Sequence, residues 1–192
     1  MERDELMTNE YPERPFTRSW WVEPGKLLAG FYPGDDQEHA EREKLEALLD
    51  CGITAVVNLM ETGERNYHGL PFKPYAPLLE AFAIERGIEV ACARFPVRDM
   101  DIPDKGEMTR ILDAIDAANA RGAAVYVHCW GGVGRTGTVV GCWFARHGIA
   151  EGDAALERIT RLRTEQHQQV HFLPSPQTDE QRAFVRDWKR GE

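Results

Sequence analysis

Two adjoining segments of this chain lack any polar face, and that constrains its fold more than any other feature. Ala123 to Val127 is an apolar run of strand length. From Thr136 onward, Val139, Val140, Cys142, Trp143, Phe144 and Ala145 describe a helix that is apolar on most sides. Cys129 ends the strand and Arg135 begins the helix. They are the first and last residues of the loop Cys129-Trp-Gly-Gly-Val-Gly-Arg135. A buried strand that turns directly into a buried helix belongs at the centre of an α/β structure.

A loop wrapped at a helix N-terminus turns successive backbone N–H groups inward, and the helix dipole adds positive potential there. Such a cup suits a phosphate-sized dianion. Trp130, Gly131, Gly132, Val133 and Gly134 supply its amides, with the glycines allowing close approach. Arg135 adds a planar fork for two oxygens. The field that attracts phosphate also favours thiolate over thiol at Cys129. A thiolate beneath phosphorus is an in-line nucleophile.

The rest of the chain alternates strands and helices, which independently gives the α/β class. Trp20-Trp21-Val22 and Lys26-Leu-Leu-Ala-Gly30 flank a turn at Pro24-Gly25, and both tryptophans read as core. A helix capped at Asp35-Asp36 runs to about Asp50, with Leu45, Leu48 and Leu49 inward. A strand spans 53–59, a helix 75–87 and a strand 88–95. The helix at 104–121 buries Met108, Ile111, Leu112, Ile115 and Ala118. Further helices lie at 151–164 and 178–190. The polar loop at 60–69 follows a strand, where α/β proteins carry ligands. Its Tyr67 reads as a surface residue, with a flanking role toward an aryl phosphate as the alternative.

His128-Cys129-x5-Arg135-Thr136-Gly137 resembles the signature of the cysteine-dependent protein-tyrosine phosphatase superfamily. Trp130-Gly-Gly-Val-Gly134 and Pro24-Gly-x-Leu-x-x-Gly30 resemble its dual-specificity branch. The resemblance implies a central, mostly parallel sheet of four or five strands with helices on both faces. It implies a phosphatase of phosphotyrosine, and of phosphoserine or phosphothreonine, working through a cysteinyl-phosphate. Phe95-Pro-Val-Arg-Asp99 resembles the loop of the general acid, which makes Asp99 the proton donor and Asp101 its rival. Thr136 matches the hydroxyl residue that serves the departing sulfur, and His128 supports the loop. Gln177-Thr-Asp-Glu-Gln181 resembles the glutamine loop of the tyrosine-specific branch, where glutamines position the hydrolytic water. The alternatives are a phosphatase of an inositol phosphate, phosphoinositide or phosphoglucan, and a phosphate-binding module without turnover. The absence of lysine between Cys129 and Arg135 weighs against inositol lipids.

With 192 residues the chain reads as a flexible arm over residues 1–15 and a single domain over 16–192. A net charge of −9 argues against nucleic acid and anionic membranes as partners. No apolar run is long enough to span a membrane. Cysteines 51, 92, 129 and 142 show no CxxC pair, so reduced thiols in a cytoplasmic setting are expected. Cys92 is a candidate disulfide partner of Cys129 under oxidation. His167 and His171 are four apart but lack the acids of a metal site, and the mechanism needs no metal or cofactor. The partner is the phosphorylated protein or small phosphate ester itself.

Overall fold

The computed structural model describes residues 11–166 and 173–192. Among them are five strands and six helices. In chain order these are β1 (Ser19–Glu23), β2 (Leu27–Gly30), α1 (Glu38–Asp50), β3 (Ile53–Asn58), α2 (Ala76–Glu85), β4 (Ala91–Arg94), α3 (Lys105–Ala120), β5 (Ala124–His128), α4 (Gly134–Arg146), α5 (Asp153–Glu165) and α6 (Asp179–Asp187). The strands form one sheet in the order β1-β2-β5-β3-β4. Only the β1–β2 pair is antiparallel. This is the mostly parallel sheet the sequence implied, and the strand preceding the glycine loop lies at its centre.

Alternation along β5 divides the interior. Val125 and Val127 face a core built by Ile111, Leu112 and Ile115 of α3, Val140 and Phe144 of α4, and Ile159 of α5. Ala124 and Tyr126 face the other core, with Leu45 and Leu48 of α1 and Leu79 and Phe82 of α2. Residues 134–145 of α4 are all buried, because α3, α5 and α6 surround the helix. At Gly141 a Cβ would stand 2.6 Å from Val185, so the missing side chain is what lets α6 lie against α4.

Three expectations need correction. The Asp35-Asp36 cap does not form: α1 begins at Glu38, and its N-cap Gln37 makes no side-chain cap bond. Asp35 instead accepts from the Gln37 N–H and pairs with Lys44 at 2.9 Å. Within residues 11–15, Glu13 O accepts from the Trp21 indole and the Tyr11 hydroxyl donates to Glu165. The strand expected at 88–95 shortens to β4, an edge strand with mostly exposed side chains. Cys92 packs on the opposite face of the sheet from Cys129, with β3 between their strands, so the two thiols are not poised to pair. Burial also pushes the Cys92 thiol up to about 11, which makes it a poor nucleophile. His167 and His171 lie outside the described residues.

Candidate active site

The buried strand β5 delivers Cys129 to the floor of the loop, and α4 starts at Gly134. Cys129 is 3% exposed and Thr136 is fully buried. The Thr136 hydroxyl donates to Cys129 Sγ at 3.2 Å. His128, also fully buried, holds the loop from beneath. Its Nδ1 lies 3.1 Å from Cys129 O, and its Nε2 lies 2.5 Å from the Tyr75 hydroxyl. Burial lowers the imidazole pKa to about 3, so the ring is neutral. A carbonyl only accepts, so Nδ1 carries the hydrogen and Nε2 accepts from Tyr75. His128 therefore gives the site geometry rather than charge.

Arg135 is 2% exposed. Glu64 takes its two terminal nitrogens as a bidentate pair at 2.8 and 2.7 Å. Val97 O accepts at 2.9 Å and Leu59 O at 3.4 Å. Asp99 Oδ1 lies 2.9 Å from Nη2. Burial works against the cation, but the Glu64 bonds, Cys129 and Asp99 outweigh it and raise the pKa. Nε is buried and has no hydrogen-bond partner. That leaves one N–H of the fork unsatisfied in a buried setting, a state that an anion partner relieves. Glu64 was missed by sequence reasoning. The loop at 60–69 was marked as a ligand-carrying region, but nothing in its spacing singled out this acid.

The acid loop places its two aspartates differently. Asp99 reaches Arg135, and its side chain is 48% exposed. Asp101 turns back, accepting from the Ile102 N–H at 2.9 Å. Between them Met100 has φ 65°, the left-handed conformation that side chains resist. That strained turn sends the two carboxylates apart.

Gln181 is fully buried and closes a capping box with Thr178 at the start of α6. Its Oε1 accepts from the N–H groups of Gln177 and Thr178, and its Nε2 donates to Asp101 O at 3.0 Å. Gln181 thus ties α6 to the acid loop. A Cβ on Gly134 would stand 2.9 Å from its Oε1, so the same side chain also backs the cup. Gln177 is exposed beside Gly134.

At the rim, Tyr67 is 92% exposed, yet its ring lies 4.3 Å from that of Trp130. Phe72 backs Trp130 at 5.4 Å. Arg18 lies against the same side of the loop, donating to Gly131 O at 3.1 Å. No helix among the described residues is long and apolar enough to cross a membrane.

A family model described as Swiss Army Knife protein, DSP-PTPase phosphatase domain, matches residues 16–184. Two uncharacterized proteins of Methanocaldococcus jannaschii are 36% identical over 66 residues and 32% identical over 91 residues, or 34% and 47% of this chain. The chain spans about half the length of these curated relatives, 45% and 57%. Among solved structures, Tk-PTP in its active form is 24% identical, with a TM-score of 0.63 over 90% of this chain and 96% of that one. PTPMT1 in complex with PI(5)P is 18% identical, with a TM-score of 0.62 over 88% and 93%. Pseudomonas aeruginosa TpbA in complex with pTyr is 18% identical, with a TM-score of 0.55 over 89% and 90%. At these identities the three structures bear on the fold.

Proposed function

The chain belongs to the DSP-PTPase phosphatase domain family, and from that premise we propose that it hydrolyses phosphotyrosine, and phosphoserine or phosphothreonine, in proteins. The observation that carries the phosphatase chemistry is the set of groups converging on one anion position. Cys129 lies on the floor with Thr136 on its sulfur, and Arg135 offers an unpartnered Nε beside it.

In the proposed cycle the phosphoryl group sits in the cup, its oxygens bound by the amides of residues 130–135 and by Arg135. Glu64 and Val97 O hold the guanidinium, so little reorganisation is needed when charge develops. The Cys129 thiolate attacks phosphorus while the ester P–O bond breaks. Asp99 gives its proton to the departing oxygen. Phosphate entry replaces Asp99 beside Arg135, and the freed Asp99 carboxylate takes up a proton from solvent before it meets the leaving group. Water then attacks the cysteinyl-phosphate, Asp99 takes the water proton, and the S–P bond breaks. The sulfur departs as thiolate, met by the Thr136 hydroxyl. In this proposal Gln177, exposed beside Gly134, holds that water.

The aromatic rim favours aryl phosphates. Tyr67 and Trp130 offer a ring surface next to the cup, and aromatic contact adds about 0.5–1.5 kcal/mol beyond area burial. Phosphate release should be measured without metal and with reductant at mildly acidic pH. Substrates would be phosphotyrosine, phosphoserine and phosphothreonine peptides, beside an inositol phosphate and a phosphoinositide. Turnover led by the phosphotyrosine peptide supports the proposal. Turnover confined to the inositol compounds moves the substrate to that class, in line with the bound PI(5)P of PTPMT1.

A further inference from the structure

We propose that Arg18 is a positioning residue of the phosphate cup: it pins the Gly131 carbonyl outward and so keeps the Gly132 amide turned toward the phosphate. The proposal rests on the phosphatase reading above. In a trans peptide the N–H and C=O point in opposite directions. A loop therefore presents its amides to a central anion only while its carbonyls are held outside. Around this loop a donor meets carbonyl after carbonyl. His128 O accepts from the Leu59 N–H at 2.9 Å and Trp130 O from the Tyr32 N–H at 3.0 Å. Cys129 O accepts from His128 Nδ1 at 3.1 Å, and Val133 O from the Ser175 hydroxyl at 2.7 Å. Gly131 O accepts from Arg18 Nη2 at 3.1 Å.

The peptide joining Gly131 to Gly132 is where such a hold matters most. Nothing lies within 4 Å of where a Gly131 Cβ would be, so no neighbour blocks that side of the residue. Gly132 has φ +70°, and a Cβ there would stand 2.5 Å from the Gly30 carbonyl carbon. With glycine on both sides, rotation of this peptide plane meets less steric resistance than elsewhere in the loop. A rotated plane would aim a carbonyl oxygen at the phosphate instead of an amide.

Arg18 is itself held for this task. Its guanidinium lies 4.4 Å from the centroid of the Phe31 ring, which attracts the cation to its face. Burial lowers its pKa, and the groups that oppose that shift are Tyr126, Cys129 and Tyr67, with no carboxylate among them. Its charge is directed at the loop. It comes from a part of the chain 113 residues before Gly131, outside the signature.

The test compares Arg18→Met, which keeps the length and the contact with Phe31 but has no donor, with Arg18→Lys, which keeps donor and charge. Inorganic phosphate is the probe, titrated calorimetrically, beside turnover of p-nitrophenyl phosphate and a melting temperature for each variant. A charge-assisted hydrogen bond corresponds to a factor of about 10 to 100. Arg18→Met should weaken phosphate binding and raise KM by about that factor, and Arg18→Lys should recover most of it. Phosphate binding by Arg18→Met within about twofold of wild type overturns the proposal and leaves the phosphatase reading standing. A folded wild type that neither binds phosphate nor turns over the ester overturns both. If Arg18→Met does not fold, Phe31→Leu withdraws the ring beneath the guanidinium. Weakened phosphate binding in that variant supports the proposal, and unchanged binding overturns it.

Discussion

In the proposed cycle the loop of residues 129–135 and the loop carrying Asp99 serve one phosphoryl group, and their construction differs. In the phosphate loop Cys129 is 3% exposed and Arg135 2%, and Arg18 before β1, Tyr32 after β2, His128 at the end of β5 and Ser175 before α6 fasten its carbonyls. In the acid loop Asp99 is 48% exposed and Met100 is in the left-handed region. That loop is fastened at Val97 by Leu59 O and at Asp101 by Gln181. The difference follows from the two tasks. An anion receptor lowers a barrier only if its dipoles are already aimed, so it is built into the core. A proton donor must admit the substrate and meet the leaving oxygen, so it stays at the surface with few ties.

The largest effect should come from the buried side. Cys129→Ser should reduce phosphate release to background while calorimetry still detects phosphate binding. Turnover retained by this variant would remove the nucleophile from the proposed cycle. On the exposed side, Asp99→Asn should lower kcat on poor leaving groups by about 10²–10⁴-fold and leave phosphate affinity nearly unchanged. Asp101→Asn should do much less. The opposite ranking would make Asp101 the donor.

Glu64→Gln tests the link between the loops, because Glu64 holds the arginine that Asp99 also touches. Breaking a buried ion pair costs about 3–5 kcal/mol, and the Glu64 side chain is 10% exposed. Urea unfolding should show a loss of that order, and the phosphate inhibition constant should rise. Full stability with full affinity would reduce Glu64 to a bystander.

His128 sharpens the comparison through pH. Its folded pKa is depressed to about 3 by burial, against an ordinary value of 6.5. The unfolded chain therefore binds a proton that the folded one refuses between those values. Stability should fall as pH drops through that window, by at most about 1.4 kcal/mol per pH unit from this group. Unfolding midpoints at a series of acidic pH values check the slope, which His128→Gln should flatten. The smallest effect is expected at Met100→Gly. Relief of the left-handed strain, about 1–2 kcal/mol, is largely offset by the entropy of glycine. Thermal stability should move little, while kcat drops modestly as the turn that aims Asp99 loosens.

Much of this was legible beforehand. The apolar run of residues 123–127 and the all-round apolar helix after it placed the strand and helix that frame the loop. Cys129, Arg135 and Thr136 were legible because their spacing is local: one turn and one helix start bring them together. Other residues were not legible, because their partners are remote in the chain. The Asp35-Asp36 cap was expected from residue type, but Lys44 offered Asp35 a stronger partner. The stretch 177–181 read either as a water-positioning glutamine loop or as a helix start capped by Thr178; Thr178 does cap α6, and the buried Gln181 amide lies in that cap and on Asp101.

By itself the sequence determined the α/β class, the central strand and the glycine loop between strand and helix, since hydrophobic period and glycine spacing act over a few residues. Only the tertiary structure decided which charges reach that loop. Glu64 and Arg18 carry no local mark, and they matter because sheet order and loop packing set them against Arg135 and Gly131. Electrostatic partnership depends on distance in space, which a linear pattern does not encode.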